Sequence, residues 1–369
     1  MSRVILHTLV LFLLCASTTG GALAKDFKKA LPGYSFSFPR DHASHDQFKT
    51  EWWYFTGHLQ DRAGRPYGFE LTFFRTGTDQ KPSDMKSAWS LDNIYLAHFA
   101  VTDIASKKFQ FFEKLNRKGL GIAGAREDIP LVYNQDWTMK FLDEKTVVIS
   151  ASGGKYQLDL VLDSLKKPVV HGKDGVSQKA SCKGCASHYY SLSRMLARGV
   201  MMVDGKPAFV KGLAWMDHEF GSNQLTDNQV GWDWYSIQLE DGRELMLYVM
   251  RRADGTIDKH SSGTLIARDG SSRHLLKNEF IIKKTGSWKS RKSNGEYPMG
   301  WNVSLPGENL NLSLEPVMND QELATGKSTG VTYWEGAAQV FTSGGGKKEL
   351  AGRAYIEMTG YAEKFRKRI

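Results

Sequence analysis

The chain contains 369 residues, of which 41% are hydrophobic and 12% aromatic, so it is long and apolar enough to fold as about two domains. Its formal net charge is +9, but most basic residues are scattered among acidic ones, which argues against the concentrated basic stripe of a nucleic-acid-binding protein. The exception is a basic tail at residues 364–368. The excess positive charge could favour peripheral contact with an anionic membrane surface.

The N-terminus has the layout of a secretory signal. Arg3 precedes an almost unbroken apolar run at residues 4–15, and small residues follow up to Ala24. Secretory signals combine a charged start, an apolar segment of about a dozen residues and an A-x-A cleavage site, whereas a membrane span needs about 20 residues. We therefore expect residues 1–24 to be removed near Ala24, which makes the mature protein periplasmic or secreted. A retained anchor or a lipid on Cys15 would be the alternative.

The rest of the sequence is dominated by short segments of alternating hydrophobicity with dense turn signals. Asp-Gly pairs begin at Asp204, Asp241, Asp254 and Asp269, and an Asp-Gly pair between alternating runs is a strong hairpin signal. Short helices are expected only near residues 83–94 and 321–325. Many short strands with regular turns predict an all-β barrel or sandwich. Hairpins are predicted at residues 147–162, 195–211, 235–251 and 334–361.

Two parts of the sequence resemble each other. Trp53 begins a Trp-Tyr strand that leads through a Gly-Arg turn to a second apolar strand ending at Arg75. Trp234 begins the same order of features, which ends at Arg251. The two tryptophans are 181 residues apart, about half of the chain, so we predict a duplicated barrel.

The boundary between the two halves is predicted in the polar, turn-like segment that separates Gly221 from Gly231. Residues 25–221 would then form the N-terminal domain, and residues 222–369 the C-terminal domain. A second polar stretch at residues 166–186 is interpreted as a long loop of the first half.

The aromatic residues near these motifs are predicted to divide between two faces. Alternate side chains of a strand share a face, so Trp52 and Tyr54 would lie opposite Trp53. The second segment divides in the same way, with Trp232 and Trp234 on one face and Asp233 and Tyr235 on the other. Most tryptophans pack in cores, but here they lie close in sequence to acids and histidines.

Asp217, His218 and Glu219 form the most polar cluster inside an otherwise apolar run. At an apolar barrel mouth, burial would raise carboxyl pKa values and supply a proton donor near neutral pH. His218 could act as acid, base or orienting partner, or the cluster could be a hydrogen-bonded corner that ties the domains together. A metal site that adds His188 or His98 lacks a known ligand spacing, so neither a metal nor a cofactor is expected.

Cys182 and Cys185 are the cysteines that would remain after removal of the signal. A C-x-x-C pair can form a disulfide, a redox pair or half of a zinc site. Because an exported protein can keep a disulfide, we predict a local disulfide between them, without a catalytic role.

Six segments together resemble the AttH and carotenoid 1,2-hydratase family, also called hydroxyneurosporene synthase-like or lipocalin-like secreted hydrolase. The resemblance extends from about residue 33 to residue 361 and implies two tandem lipocalin-like (calycin) β-barrels. The segments are TEWWYFTGHL at 50–59, FELTFFR at 69–75, AHFA at 97–100, SHYYS at 187–191, WMDHEFG at 215–221 and GWDWY at 231–235.

The family includes hydratases that add water to an isolated alkene of a carotenoid or prenyl group, and many members without an assigned reaction. The resemblance implies an exported protein that acts on an apolar lipid- or isoprenoid-like molecule. Asp217 would be the acid, with His218 or Glu219 as base or orienting group. The expected substrate-binding residues are Trp52, Trp53, Tyr54, His98, Tyr190, Trp215, Trp232, Trp234 and Tyr235.

Other functions remain open at this stage. A lipocalin-like barrel can carry a hydrophobic ligand without turnover, and a secreted hydrolase would use the same site on an ester. The barrels could also be a platform for an export or transport partner. Carboxylates of residues 217–219 lining a cavity would favour catalysis, whereas salt bridges from them to Arg75 or Arg251 would favour carriage.

Overall fold

A computed structural model of the chain describes residues 26–79, 91–223, 225–344 and 347–365. The predicted signal and its cleavage site lie outside these ranges, as do most of the helix predicted at residues 83–94 and most of the basic tail. Within the described ranges, no helix has the length and apolarity that a membrane span requires.

The first sheet is antiparallel and curls into a nearly closed barrel. Its strand order is β4-β3-β2-β1-β13-β12-β9-β8-β7-β6-β5, and β10 and β11 add to β12. The strands are β1 (Thr50–Asp61), β2 (Pro66–Gly77), β3 (Asn93–Asp103), β4 (Lys108–Arg117), β5 (Ala123–Ala125), β6 (Leu131–Asn134), β7 (Trp137–Phe141), β8 (Thr146–Gly153), β9 (Tyr156–Ser164), β10 (Val169–Val170), β11 (Ser177–Gln178), β12 (Ala186–Val203) and β13 (Lys206–Asn223).

The second sheet is also antiparallel, with the order β17-β16-β15-β14-β25-β24-β22-β21-β18 and with β23 added to β24. The strands β19 and β20 form a separate ribbon, and short 3-10 turns lie at Arg40–His42, Lys277–Glu279 and Pro306–Glu308. The strands are β14 (Gln229–Leu239), β15 (Glu244–Arg252), β16 (Ser262–Ile266), β17 (Ser272–Leu276), β18 (Ile281–Lys284), β19 (Ser287–Lys289), β20 (Glu296–Pro298), β21 (Trp301–Leu305), β22 (Leu310–Pro316), β23 (Glu322–Ala324), β24 (Thr332–Gly344) and β25 (Lys347–Thr359).

The four predicted hairpins are confirmed as the pairs β8–β9, β12–β13, β14–β15 and β24–β25. The helix predicted at residues 321–325 is wrong, because that segment contains strand β23. Pairing with β24 satisfies its backbone and fully buries Leu323, which a free helical turn would not achieve.

The two sheets repeat one topology. In each, four consecutive strands form a meander, and the first strand of the meander pairs with the last strand of the sheet: β1 with β13, and β14 with β25. The chain is therefore an all-β protein of two lipocalin-like barrels, as the resemblance implied.

The structure corrects the register of the internal repeat. Trp53 points into the first barrel, whereas Trp234 points out of the second barrel toward the first. A shift of one residue along a strand reverses the face of every side chain, so an alignment that matches inward Trp53 with outward Trp234 is one residue out of register. The faces match instead when Trp52 is paired with Trp234 and Trp53 with Tyr235.

Both barrel interiors are filled by side chains. Trp53, Phe55 and their neighbours pack inside the first barrel, and Tyr235 and Trp301 pack inside the second. A third apolar cluster, which includes Tyr54, lies between the barrels, where the outward faces of the central strands meet. The outward and inward sets predicted for the aromatic residues of β1 and β14 are confirmed by this packing.

Candidate active site between the two barrels

A cavity of about 260 Å3 lies between the two barrels. The outward faces of β1, β2, β3 and β13 form one side, and those of β14, β15, β24 and β25 form the other. The expected position at a barrel mouth is wrong, because the interiors of both barrels are closed by their own cores. Any ligand of this cavity would contact both halves of the chain.

The cavity gathers some of the residues that the sequence suggested and separates others. Trp215 packs beneath the lining and donates a hydrogen bond from Nε1 to Oδ1 of Asp217, 2.6 Å away. Trp53, Tyr190 and Tyr235 face the barrel cores and do not line the cavity. The predicted residues that do line it are Trp52, Tyr54, His98, Trp232, Trp234, Asp217 and Glu219.

Asp217 is a buried carboxyl group on the wall of this cavity. Its Oδ2 accepts a hydrogen bond from the Tyr189 hydroxyl at 2.7 Å, and its Oδ1 accepts hydrogen bonds from Trp215 and Ser191. Burial raises the pKa of Asp217 to about 7, although these hydrogen bonds act in the opposite direction. Oδ1 accepts two hydrogen bonds and Oδ2 accepts one, so we assign the proton of the neutral acid to Oδ2.

A polar chain leads from Asp217 toward the second barrel. The Ser191 hydroxyl lies 2.6 Å from Nε2 of His171, and Nδ1 of that ring lies 2.8 Å from Oγ1 of Thr264. Burial lowers the pKa of His171 well below its ordinary value, so the imidazole is neutral. The chain therefore holds Ser191 in place behind Asp217.

Glu219 lies on the same face of β13 as Asp217 but has a cationic partner. Nζ of Lys179 is 3.2 Å from Oε1 of Glu219, and it also lies 4.1 Å from the ring centroid of Tyr248. Burial opposes the charge of Lys179, but Glu219 and its other neighbours hold the pKa of that ammonium above its ordinary value. The cavity thus presents one salt-bridged carboxylate beside one protonated carboxyl group.

His218 points away from the cavity, because consecutive residues of a strand face opposite sides. Its Nε2 is 2.8 Å from Oε1 of Glu51, and its Nδ1 is 3.1 Å from the Tyr190 hydroxyl. Glu51 also accepts a hydrogen bond from Nε of Arg75 at 3.0 Å. His218 therefore cannot contact a ligand in the cavity, contrary to its expected role as acid or base there.

A cluster of His45, Glu51 and His218 brings three metal-ligating atoms within 4.8 Å of one another. The separations of 2.7 and 2.8 Å between Oε1 of Glu51 and the two imidazole nitrogens are those of hydrogen bonds. The Arg75 guanidinium already neutralises Glu51. These contacts fit a hydrogen-bond network. The metal site suggested from His218 and Glu219 does not form, because the two side chains lie on opposite faces of β13.

Three glutamates of the cavity were missed by the sequence analysis: Glu70 on β2, Glu335 on β24 and Glu357 on β25. Burial raises the pKa of Glu70 to about 8 and that of Glu357 to about 7, and it raises the pKa of Glu335 well above its ordinary value. The Tyr54 hydroxyl donates to Oε1 of Glu335 at 2.7 Å, across the two barrels. The available signal for each was an acid between apolar residues of a strand.

His98 supports one wall of the cavity. Its Nδ1 is 2.7 Å from the Tyr333 hydroxyl, and its Nε2 is 2.9 Å from Oγ of Ser328. Burial lowers the pKa of His98 to about 3, so the ring is neutral. It positions Tyr333 across the boundary between the barrels.

The loop between β11 and β12 contains the Cys182–Cys185 disulfide. The backbone N–H of Lys179 donates to the carbonyl oxygen of Cys185 at 2.9 Å. The disulfide therefore lies in the turn that holds Lys179 against the cavity.

The fold and the cavity define a protein of two lipocalin-like barrels in one chain, with an acid-lined cavity between them. The chain belongs to the AttH-like family, whose model matches residues 29–361. A candidate AttH protein from Nitrosomonas europaea, solved at 2.00 Å, is 30% identical, with a TM-score of 0.82, over 91% of this chain and 100% of its own.

Two further solved structures share the fold at 13% identity. Kievitone hydratase from Nectria haematococca has a TM-score of 0.68 over 92% of this chain and 98% of its own. CghA with Sch210972 has a TM-score of 0.53 over 92% of this chain and 97% of its own. Comparison with curated protein sequences gave no match.

Proposed function

We propose that this chain is an exported hydratase, which adds water to a double bond of an apolar lipid- or isoprenoid-like molecule held between the barrels. The observation that carries the proposal is the position of Asp217, a carboxyl group with a pKa of about 7 on the wall of an aromatic cavity. The shared fold with kievitone hydratase supports it. The apolar run at residues 4–15 supports export.

The proposed reaction begins with proton transfer from Oδ2 of Asp217 to one carbon of the double bond. The π electrons form the new C–H bond, and the other carbon becomes a carbocation. The faces of Trp52 and Trp234 line this space, and a desolvated aromatic face stabilises a cation by about 0.5–2 kcal/mol. Water then forms the C–O bond and loses a proton to Glu219, and the return of that proton to Asp217 restores both groups.

The charge pairing favours catalysis over simple carriage of a ligand. Arg75 pairs with Glu51, and Arg251 pairs with Asp233 at 3.0 Å, so neither arginine neutralises Asp217 or Glu219. The carboxyl groups of Asp217 and Glu219 both line the cavity. A non-catalytic carrier of a hydrophobic ligand would not need a proton donor there.

A hydrolase with a serine nucleophile is less well supported. Ser191 contacts His171, but it does not line the cavity. Nδ1 of His171 contacts Thr264, so no carboxylate orients the imidazole as in a catalytic triad. We therefore retain the hydratase as the proposed activity.

Native mass spectrometry of the mature protein purified from its own host, with extraction of any bound lipid, is the first test. An apolar molecule with an isolated double bond is the expected ligand. Incubation with that molecule should yield the product with one added water, and Asp217→Asn should abolish the addition. A saturated lipid recovered unchanged from both proteins would instead identify a carrier.

A further inference from the structure

We propose that the cavity selects an apolar molecule that bears a single positive charge, such as a hydrophobic ammonium ion, over its neutral isostere. This inference rests on the proposed function in using the same cavity, but it concerns binding and does not require turnover. The positive group of such a ligand would lie beside the same acids and aromatic rings as the carbocation that forms during hydration.

Carboxyl groups outnumber cationic side chains around the cavity. Its cationic side chains among the described residues are Lys179 and Arg75, and these already pair with Glu219 and Glu51. Four more carboxyl groups line it without a salt bridge to any described residue: Asp217, Glu70, Glu335 and Glu357. A cationic ligand would balance acids that the protein itself leaves unpaired.

Unpartnered oxygen atoms point to the same ligand. Oε2 of Glu70 and Oε2 of Glu335 are buried and have no hydrogen-bond donor among the described residues. The two residues are 1% and 0% exposed. A buried polar atom without a partner is costly, so a ligand cation that favours the ionised carboxylates and pairs with these oxygens would remove that cost.

The aromatic lining suits the apolar part of such a ligand. Trp52, Trp232 and Trp234 border the cavity, and aromatic faces attract cations. The ammonium group of Lys179, 4.1 Å from the ring centroid of Tyr248, shows that one cation is already held against this lining. A ligand ammonium would make the same kind of contact.

Binding of a cation should release protons. Burial and repulsion by neighbouring carboxyl groups favour the protonated forms of Glu335 and Glu357, and a nearby positive charge would favour their ionised forms. The other titratable groups that face them do not supply a cation, because they are phenols, other acids or a neutral imidazole. They are Tyr54, Tyr333, Tyr355, Glu70, Asp217, Glu219, Asp233 and His98.

Isothermal titration calorimetry with benzyltrimethylammonium and its neutral isostere neopentylbenzene tests the inference. We expect the charged ligand to bind about tenfold more tightly or better. The binding enthalpy of the charged ligand should also change between two buffers of different ionisation enthalpy, because protons are released. Equal or tighter binding of neopentylbenzene would overturn the inference.

Single variants then locate the effect. Glu335→Gln and Glu357→Gln should each reduce the preference for the charged ligand and leave binding of the neutral ligand unchanged. Glu349→Gln, at an exposed glutamate on β25, is the matched control and should behave as wild type. A preference that persists unchanged in both cavity variants would contradict the assignment. Loss of hydration with the preference intact would overturn only the hydratase proposal.

Discussion

Glu335 on β24 and Glu357 on β25 lie directly opposite each other in the antiparallel register of the second sheet, and Glu335 is fully buried. Two like charges at such a position repel each other strongly. The pair is therefore accommodated with at least one proton bound, and the fold holds that proton at a pH where an exposed glutamate would have lost it.

Stability should consequently fall as the pH rises. Folding raises the pKa of Glu70 from 4.5 to about 8 and that of Glu357 from 4.5 to about 7, so the folded state binds more protons than the unfolded state in that window. Each unit of pKa difference corresponds to about 1.4 kcal/mol of unfolding free energy. Urea denaturation between pH 6.5 and 8, above the range in which histidines titrate, should show the loss, and Glu70→Gln should flatten it. A rise in stability through this window would contradict the prediction.

At low pH, the stability of the fold should be limited by histidines that are buried in their neutral form. Burial lowers the pKa of His98 and His42 to about 3 and that of His58 to about 4, whereas an unfolded histidine titrates near 6.5. The unfolded state therefore binds more protons below pH 6.5, and stability is lost as the pH falls toward the folded values. The same denaturation series, extended to lower pH, should place maximum stability between about pH 4.5 and 6.5, and a maximum above pH 8 would exclude this explanation.

Hydration should depend on the protonated form of Asp217. Because burial raises the pKa of this group to about 7, kcat/KM should be constant at lower pH and should fall by about tenfold per unit at higher pH. Asp217→Asn should reduce the rate by about 100-fold or more, the usual contribution of a general acid. Asp241→Asn, at an exposed turn, is the control. A rate that rises with pH above 7 would show that Asp217 is not the general acid.

His218 and Glu219 are neighbours in sequence that should behave differently on substitution. His218→Phe removes hydrogen bonds to Glu51 and Tyr190 inside the first barrel, so it should cost about 1–3 kcal/mol of unfolding free energy. Turnover of the folded fraction should be nearly unchanged. Glu219→Gln should lower kcat with a smaller effect on stability. Thermal unfolding and steady-state kinetics on both variants check the contrast, and a reversed pattern would mean that His218 reaches the ligand.

The local elements of this fold follow from its sequence. Asp-Gly turns between alternating segments predict the hairpins, and the period of two predicts which tryptophans share a face. The same period, applied to β13, separates His218 from Asp217 and Glu219. Trp53 and Trp234 are the same residue type but face opposite sides of their sheets, so an alignment based on residue type alone is shifted by one residue.

The carboxyl cluster could not be predicted in this way. Glu70 lies on β2, far along the chain from Glu335 and Glu357 on the paired strands β24 and β25, and each resembles an ordinary outward-facing residue. They meet because β2 packs against β24, a contact between the two barrels. Hydrophobic alternation specifies which residues face outward, but it does not specify which outward faces are later buried against each other.

When Trp52 is matched with Trp234, the two halves of the chain give the cavity an approximate two-fold symmetry. Trp52 lies opposite Glu219 in the pairing of β1 with β13, and Trp234 lies opposite Glu357 in the pairing of β14 with β25. All four residues line the cavity. An ancestral barrel that associated with a second copy of itself would have had two equivalent half-sites, and an elongated ligand could have bound in either direction. Asp217 and Lys179 line the cavity of the present chain from the first half only, so its two sides differ in chemistry and an elongated ligand would have one preferred direction.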